Sequence, residues 1–206
     1  SGKTTLIRKL ESSLTGCQVI TPTNFAASLY RGARTIHSFF HASLDDLEEG
    51  FMNPKELTDD RAKRCFSSLQ GLRMLVIDEI SMVRVDLFEM MNRICQLALG
   101  CSQAFGGIPV VVVGDLFQLP PIVSSEAVLK YLEREYGGVY FYNSHVIQKE
   151  IKSVKLFELT KSFRQENDPE FVRILDAFRY PMTPQRKLQV LDGINSRVTE
   201  SLPDDA

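Results

Sequence analysis

The first residues of the chain have the types and order of a phosphate-binding loop that opens a helix. Ser1, Gly2, Lys3, Thr4 and Thr5 precede a segment whose apolar residues recur at helical spacing. Backbone N–H groups at such a helix start bind phosphate oxygens, a lysine neutralises their charge, and a threonine hydroxyl binds Mg²⁺. A Gly-Lys-Ser/Thr triplet also occurs by chance in roughly one chain in ten of this length, so other residues must support this interpretation.

Two adjacent acids supply a second part of the same chemistry. Asp78 and Glu79 directly follow the apolar run Met-Leu-Val-Ile, which predicts a buried strand. Carboxylates at such a position are costly unless a cation or a reaction uses them. Together with Thr4, Asp78 is expected to hold Mg²⁺, and Glu79 is expected to orient and polarise an attacking water. A strand that simply emerges into solvent is the alternative, and the combination with the Gly-Lys-Thr triplet disfavours it.

A glutamine and an arginine extend the set of candidate phosphate contacts. Asp115 and Gln118 lie in Gly-Asp-Leu-Phe-Gln, directly after the apolar run Ile-Pro-Val-Val-Val-Val. The amide of Gln118 both donates and accepts hydrogen bonds, so it can sense whether a terminal phosphate is present. Arg164, in Phe-Arg-Gln, has the planar charged group that stabilises a phosphoryl transition state, although a surface arginine is the commoner case.

The elements that must position these residues alternate between strand and helix. Strands are predicted in the sequences CQVI, RMLVI, PVVVV and VKLFEL, each of which is followed by polar residues. Such alternation predicts an α/β fold, with a mostly parallel sheet and helices on both faces. Ligands bind at the carboxyl ends of the strands in sheets of this type, which is where the candidate residues stand.

Helices are predicted between and after these strands. Asn24, Thr35 and Asp168 are the predicted N-terminal caps of three of them. The segment 41–60 is polar and is expected to be an insert. The predicted helical sequences are TTLIRKLESSL, NFAASLYR, TIHSFF, RAKRCFSSLQ, VDLFEMMNRICQLAL, SSEAVLKYLEREY and DPEFVRILDAFR.

The composition suits one globular domain with part of a second. The chain has 206 residues, a net charge of −2 and 44% hydrophobic residues. No apolar run approaches the roughly 18 residues of a membrane span. The four cysteines lack C-x-x-C spacing, which indicates free thiols in a reducing compartment rather than a metal site. The near-neutral charge excludes a uniformly basic nucleic-acid binder.

Charge is unevenly distributed along the chain. Residues 12–44 contain no Asp or Glu but contain Arg31, Arg34, His37 and His41, and the stretch that follows is strongly acidic. This acid-free segment is expected to accept an anion, with ordinary variation of surface charge as the alternative.

Taken in order, the motifs resemble those of superfamily-one helicases. The strings SGKTTL, ITPTNFAASLYRGARTIHSFF, LVIDEISMV, FGGIPVVVVGDLFQLPPI and LTKSFRQENDPEF are similar to helicase motifs I, Ia–Ib, II, III and IV. GARTIHSF, DEIS and GDLFQLPP most specifically resemble the Pif-type DNA helicases of the RecD-like branch. The resemblance covers residues 1–179 and is loose beyond Arg179.

This resemblance implies a RecA-like P-loop fold in two parts. Residues 1–158 would form the first motor domain, 1A, with a small inserted 1B-like element at about 42–70, and residues 159–206 would begin the second motor domain. It also implies ATP and Mg²⁺ as cofactors, and 5′→3′ translocation on single-stranded DNA coupled to ATP hydrolysis.

The resemblance further implies partners and a location. Single-stranded DNA and DNA junctions are the implied partners of a monomeric protein that does not bind membranes. Roles in DNA repair, recombination and telomere maintenance are implied. The implied location is intracellular, in the cytoplasm of a bacterium or in the nucleus or mitochondrion of a eukaryote.

Motif matching carries nucleotide-site roles to individual residues. By the resemblance, Lys3 contacts phosphate, Thr4 and Asp78 hold Mg²⁺, and Glu79 activates water. Gln118 would contact the γ-phosphate, and an arginine of the second motor domain would reach the same site. The residues so matched are Ser1, Gly2, Lys3, Thr4, Thr5, Asp78, Glu79, Gln118 and Arg164.

A second set of residues matches the DNA-contacting motifs. These residues fall in the acid-free segment, whose hydroxyl, histidine and aromatic side chains can hold phosphates and stack on bases. Phe39 equally suits the core, because TIHSFF also has the spacing of a buried amphipathic turn. The matched residues are Thr21, Pro22, Thr23, Asn24, Thr35, His37, Ser38 and Phe39.

Parts of the family pattern are not found in the sequence. The first glycine of the phosphate loop, the adenine-contacting segment and the later motifs of the second motor domain are missing. The chain is therefore expected to be a helicase fragment with little or no ATPase activity of its own. One alternative is a nucleoside or small-molecule kinase, for which no Arg-rich lid is found. The other is a non-catalytic module that binds single-stranded DNA or a protein.

Overall fold

The computed structural model describes residues 2–42, 59–159 and 183–195. The chain forms two compact units, of which the first is Lys3–Glu158 and the second is Leu159–Ala206 with Ser1–Gly2. The first unit contains the sheet and all of the candidate residues described below, apart from Gly2. In the second unit, a helix spans Pro184–Asn195.

Within the described residues, a four-stranded parallel sheet forms the centre of the first unit. Its strands are β1 (Cys17–Thr21), β2 (Arg34–Thr35), β3 (Met74–Ile77) and β4 (Val110–Val112), in the spatial order β2-β1-β3-β4. All neighbouring pairs are parallel, with Ile20 beside Ile77 and Ile77 beside Val112. The parallel α/β sheet predicted from the sequence is confirmed.

Helices connect the strands and cover the sheet. In the first unit they are α1 (Lys3–Ser13), α2 (Asn24–Ala27), α3 (Ile36–Phe39), α4 (Asp59–Leu69), α5 (Val85–Leu99), α6 (Glu126–Tyr136) and α7 (His145–Glu150), and the helix of the second unit is α8 (Pro184–Asn195). α5 has the predicted bounds and ends where Gly100 adopts a φ of 61°. In the described ranges, no helix is long and apolar enough to cross a membrane.

Side chains that alternate along the strands cover both faces of the sheet. On one face, the larger core buries the strand residues Ile20 and Ile77 against helix residues, which include Cys65 of α4 and Phe88 and Met91 of α5. Complete burial of each large apolar side chain stabilises the fold by about 1.5–3 kcal/mol. This packing makes the sheet a rigid platform for the residues at its ends.

A smaller core lies on the opposite face of the sheet. Val19 of β1 and Val76 of β3 pack there with Ile7 of α1 and with Tyr30. Ile7 is fully buried, as the apolar spacing of α1 predicts. The helix that begins at Lys3 is thus held directly against the two central strands.

The segment VKLFEL does not form the predicted strand. Residues 154–159 have no regular secondary structure, and Leu156 and Phe157 are 91% and 84% exposed. An apolar run becomes a strand only when its backbone groups pair with another strand. Within the described residues, no strand pairs with this segment.

Two further boundaries differ from the sequence prediction. β4 is shorter than its apolar run, and Val112 is 36% exposed, because β4 is the edge of the described sheet. Asn24 is the first residue of α2 rather than its cap. The cap is Thr23, whose Oγ1 accepts a hydrogen bond from the Ala26 N–H at 3.2 Å.

The predicted insert at 42–70 includes a helix that belongs to the main core. α4 buries Cys65 and Leu69 in the larger core, against residues of the central strands and α5. Residues 43–58 of the predicted insert lie outside the described residues, as does the predicted helix that Asp168 would cap.

Candidate nucleotide site and adjoining groove

The carboxyl ends of β1, β3 and β4 lie together because these neighbouring strands are parallel. The Asp78 N–H donates to the Ile20 carbonyl at 3.0 Å, and the Ile80 N–H donates to the Val113 carbonyl at 3.0 Å. These bonds continue the ladder past the last residue of β3. They fix Asp78 and Glu79 between the segments that follow β1 and β4.

Asp78 is a buried acid with one oxygen paired and the other bare. Asp78 is 4% exposed, and its Oδ2 accepts a hydrogen bond from the Tyr30 hydroxyl. Within the described parts of the chain, Oδ1 has no hydrogen-bond partner. A buried, unpaired carboxylate oxygen is costly, and a bound cation removes that cost.

Thr4 lies beside the same tyrosine hydroxyl. The pKa of the Tyr30 hydroxyl is raised, mainly by burial and next by its hydrogen bond to Asp78. A hydrogen bond with the Thr4 side chain opposes this rise. Thr4 and Asp78, the two predicted Mg²⁺ ligands, therefore adjoin one hydroxyl group.

Lys3 and Thr5 flank Thr4 at the start of α1. Lys3 is partly buried and Thr5 is exposed. Gly2 adopts a φ of 74°, a left-handed conformation that favours glycine. The first free N–H groups of α1 thus lie next to the lysine, as phosphate binding at a helix start requires.

This donor set fits Mg²⁺. Mg²⁺ prefers oxygen ligands and commonly takes one or two from protein, with the rest from water and substrate phosphates. Among the residues that the structure describes, no group of three or more His, Cys, Asp or Glu side chains could hold a metal alone. Thr4 and Asp78 would hold the ion, and a nucleotide would supply phosphate oxygens.

Glu79 is held in a left-handed backbone conformation, with φ 52° and ψ 42°, directly before a 3₁₀ turn at Ile80–Met82. Such a conformation costs about 1–3 kcal/mol in a non-glycine residue and persists where the surroundings enforce it, often at functional sites. Gly114 packs against this turn, since a Cβ there would lie 2.8 Å from Ile80 Cγ2 and 3.1 Å from the Ile80 nitrogen. Glycine at this position allows the exit of β4 to approach Glu79.

Glu79 and Gln118 line one open groove with a volume of about 550 Å³. Asp115 shapes the Gln118 side, because its Oδ1 accepts the Phe117 N–H at 3.1 Å and its carbonyl accepts the Gln118 N–H at 3.0 Å. The residues that line this groove are Thr23, Phe25, Ala26, Glu79, Ser81, Met82, Phe117, Gln118, Leu119 and Pro120.

Exposed apolar side chains stand along the groove. Phe25 is 81% exposed, Phe117 is 67% exposed and Leu119 is 68% exposed. Exposed aromatic faces beside polar groups are suited to stacking on nucleic-acid bases. The sequence prediction did not include Phe25 or Phe117, because composition and spacing do not distinguish an exposed phenylalanine from a buried one.

The predicted DNA contacts after β1 divide into exposed and structural residues. Thr21 is fully buried, and its Oγ1 donates to the Thr23 carbonyl at 2.8 Å, so its hydroxyl braces the loop. Thr23 caps α2 and also lines the groove. Asn24 is exposed and Pro22 is partly buried. The burial of Thr21 disfavours the predicted DNA contact at this residue.

The second set of predicted DNA contacts lies around α3. Thr35 caps this helix, since its Oγ1 accepts the Ser38 N–H at 3.1 Å. Ser38 is exposed, and its carbonyl accepts a hydrogen bond from Arg34 at 2.6 Å. His37 is partly buried, and this burial lowers the pKa of its imidazole, which favours the neutral form at pH 7.

Phe39 is a core residue. It is 1% exposed and packs edge to face against Phe40, with ring centroids 5.0 Å apart. Its ring therefore has no free face for a base, which disfavours the predicted DNA contact at Phe39. The amphipathic spacing of TIHSFF, rather than the motif match, explains this residue.

Two predicted nucleotide-site residues, Ser1 and Arg164, lie outside the described residues. Conversely, Tyr30 was not predicted, although its hydroxyl connects Thr4 and Asp78. Its position in the acid-free segment gave no signal, because the contact joins residues 48 positions apart.

The chain is similar in sequence to known helicases. A family model described as PIF1-like helicase matches residues 1–174. The ATP-dependent DNA helicase PIF1 of Candida albicans is 32% identical over 185 residues, which cover 87% of this chain and 20% of that protein. The ATP-dependent DNA helicase RRM3 of Saccharomyces cerevisiae is 32% identical over 184 residues, which cover 85% of this chain and 23% of that protein.

Solved structures show the same fold. A Pif1 structure that addresses DNA unwinding at forked double-stranded DNA matches with a TM-score of 0.81 and 32% identity, covering 98% of this chain and 46% of that chain. Pif1 from Bacteroides in complex with ADP-AlF3 and single-stranded DNA matches with a TM-score of 0.75 and 31% identity, covering 99% of this chain and 46% of that chain. The likeness confirms the predicted RecA-like fold.

This chain spans only 20% and 23% of the length of the two curated relatives. The similarity nevertheless extends over most of the chain itself, and it includes every motif that supplies the site described above. The chain belongs to the PIF1-like helicase family.

Proposed function

We propose that this chain is the nucleotide-binding and DNA-binding part of an ATP-dependent DNA helicase that moves 5′→3′ on single-stranded DNA. The observation that carries the proposal is the buried Asp78, which has an unpaired Oδ1, precedes Glu79 and contacts through Oδ2 the same Tyr30 hydroxyl that Thr4 adjoins. Support comes from relatives named as ATP-dependent DNA helicases and from a related structure bound to ADP-AlF3 and single-stranded DNA.

Each nucleotide-site residue has a separate task in this proposal. Backbone N–H groups at the start of α1 hold the phosphates, and Lys3 neutralises their charge. Thr4 and Asp78 would hold Mg²⁺, which would neutralise phosphate charge as it develops. Glu79 orients and polarises the attacking water. Gln118 forms hydrogen bonds with the γ-phosphate, and these bonds are lost after hydrolysis.

The shared groove supplies a route from hydrolysis to DNA movement. Glu79 and Gln118 line the same groove as Phe25 and Phe117. A shift of Gln118 on loss of the γ-phosphate also moves Phe117, because Asp115 hydrogen-bonds to the backbone of both residues. A base stacked on Phe117 would be displaced by that shift.

The remaining parts of the proposal concern the whole protein. Residues 1–158 are motor domain 1A, and residues 159–206 begin the second motor domain, which supplies Arg164 to the transition state. Single-stranded DNA and DNA junctions are the substrates, and the protein acts as an intracellular monomer. Its compartment is the cytoplasm in a bacterium, and the nucleus or mitochondrion in a eukaryote.

The test is the DNA-stimulated ATPase of the full-length gene product carrying Glu79→Gln. Turnover should fall by about 10²-fold or more, because the group that polarises water is neutralised, while ATP and single-stranded DNA still bind. Glu126→Gln is the matched control, since Glu126 is an exposed residue of α6 that pairs with Lys130.

Two results would contradict the proposal. Turnover at the parent rate in the Glu79→Gln variant would remove Glu79 from the role of activating water. Transfer of phosphate to a nucleoside or another small molecule, rather than to water, would favour a kinase on the same scaffold.

A further inference from the structure

Tyr30 lies in the smaller core, directly after α2, and is 7% exposed. Its ring packs with Ile7 of α1, Val19 of β1 and Val76 of β3. The ring is thus enclosed by the helix that follows the phosphate loop and by the two central strands. Its hydroxyl emerges at the ends of those strands, next to Asp78.

The backbone around Tyr30 is fastened to both flanking helices. The Arg8 guanidinium of α1 donates to the Leu29 carbonyl from Nε at 3.1 Å and from Nη2 at 2.9 Å. The Tyr30 N–H donates to the Ala27 carbonyl of α2 at 3.1 Å. The phenol therefore has little freedom to move away from the carboxylate it contacts.

The two oxygens of Asp78 differ because of this hydroxyl. Oδ2 accepts the hydrogen bond of Tyr30, whereas Oδ1 has no partner among the described residues. A carboxylate with one oxygen fixed cannot rotate freely, so the direction of its other oxygen is set. Groups that orient a metal ligand in this way contribute strongly to metal affinity.

We propose that Tyr30 is a positioning residue for the Mg²⁺ site. Its hydroxyl holds Oδ2 of Asp78 so that Oδ1 stays available to the metal, and it ties this carboxylate to the segment that begins with α2. The inference rests on the proposed function, because it requires Asp78 to serve a metal-bound nucleotide.

The experiment compares Tyr30→Phe with the parent in the full-length gene product. Phenylalanine keeps the packed ring and removes only the hydroxyl. Tyr142→Phe is the matched control, because Tyr142 is 39% exposed and belongs to the 3₁₀ turn Phe141–Asn143, whereas the tyrosine that bonds to Asp78 is Tyr30. Thermal melts without metal check that all variants fold.

The probes are Mn²⁺, followed by electron paramagnetic resonance in the presence of ADP, and a fluorescent ADP analogue titrated with and without Mg²⁺. Tyr30→Phe should weaken Mn²⁺ binding by about tenfold. Metal-free binding of the ADP analogue should not change, and Tyr142→Phe should behave like the parent. The ATPase of Tyr30→Phe should require a correspondingly higher Mg²⁺ concentration.

Unchanged Mn²⁺ binding in Tyr30→Phe would overturn the inference, and tighter binding would show that the hydroxyl competes with the metal. A further variant, Tyr30→Leu, removes the ring as well as the hydroxyl. If Mn²⁺ binding is weakened only in Tyr30→Leu, the role of Tyr30 is packing alone. The nucleotide site is tested separately with Lys3→Ala. If the parent binds the ADP analogue in a metal-dependent way and Lys3→Ala does not, the nucleotide site is supported whatever Tyr30→Phe does. If the parent binds neither probe, the proposed function fails, and this inference falls with it.

Discussion

Replacement of Phe25 by alanine is expected to weaken binding of single-stranded DNA without loss of stability. The side chain is 81% exposed, so its removal leaves no cavity and changes little buried surface. Phe25 lines the groove with Thr23 and Phe117, where a base can stack on its ring. Stacking on an aromatic side chain is worth about 1–3 kcal/mol per base, which corresponds to a rise of about 5- to 160-fold in Kd.

The assay is fluorescence anisotropy of a labelled oligothymidine at several fixed salt concentrations. Phe66→Ala is the matched control, because Phe66 is a 40% exposed residue of α4 that does not line the groove. The dependence of log Kd on log salt should match the parent for both variants, because neither substitution removes a charge. Equal Kd values for Phe25→Ala, Phe66→Ala and the parent would refute the assignment of bases to this groove.

Two other substitutions test the assignments on either side of this groove. Phe39→Ala should lower the free energy of unfolding by about 3–5 kcal/mol in urea denaturation, because it empties a core site; weakened DNA binding at parent stability would return Phe39 to the DNA surface. Gly114→Ala should lower kcat far more than ATP affinity in steady-state assays, because its Cβ would lie 2.8 Å from Ile80 Cγ2 and disturb the turn that holds Glu79. A parent kcat in Gly114→Ala would show that this turn tolerates the added methyl group.

The positions of Asp78, Glu79 and Gln118 could be predicted from the sequence because each follows a short apolar strand. Parallel pairing of neighbouring strands then brings their carboxyl ends together without further information. The parallel sheet and the helix Val85–Leu99 could also be predicted from the sequence, since both depend on local spacing of apolar residues.

Contacts between residues that are far apart in the sequence could not be predicted in this way. The hydrogen bond from Tyr30 to Asp78 joins residues 48 positions apart, and nothing local to either residue signals it. The exposures of Phe25 and Phe39 are 81% and 1%, although both follow polar residues in short helical turns of the same segment. Tertiary packing decides which ring is buried. For the same reason VKLFEL, which has strand-like composition, has no strand partner within the described residues.

The most direct test of the central claim is the ATPase activity of the full-length gene product with and without single-stranded DNA, in the parent and in Lys3→Ala. The variant removes the charge that faces the phosphates at the start of α1. Lys63→Ala is the control, because the Lys63 side chain is 75% exposed on α4 and pairs with Asp60. We expect DNA to stimulate ATP hydrolysis in the parent and in Lys63→Ala, and Lys3→Ala to have no hydrolysis above background. DNA-stimulated hydrolysis at the parent rate in Lys3→Ala would contradict the assignment of this helix start as the phosphate site.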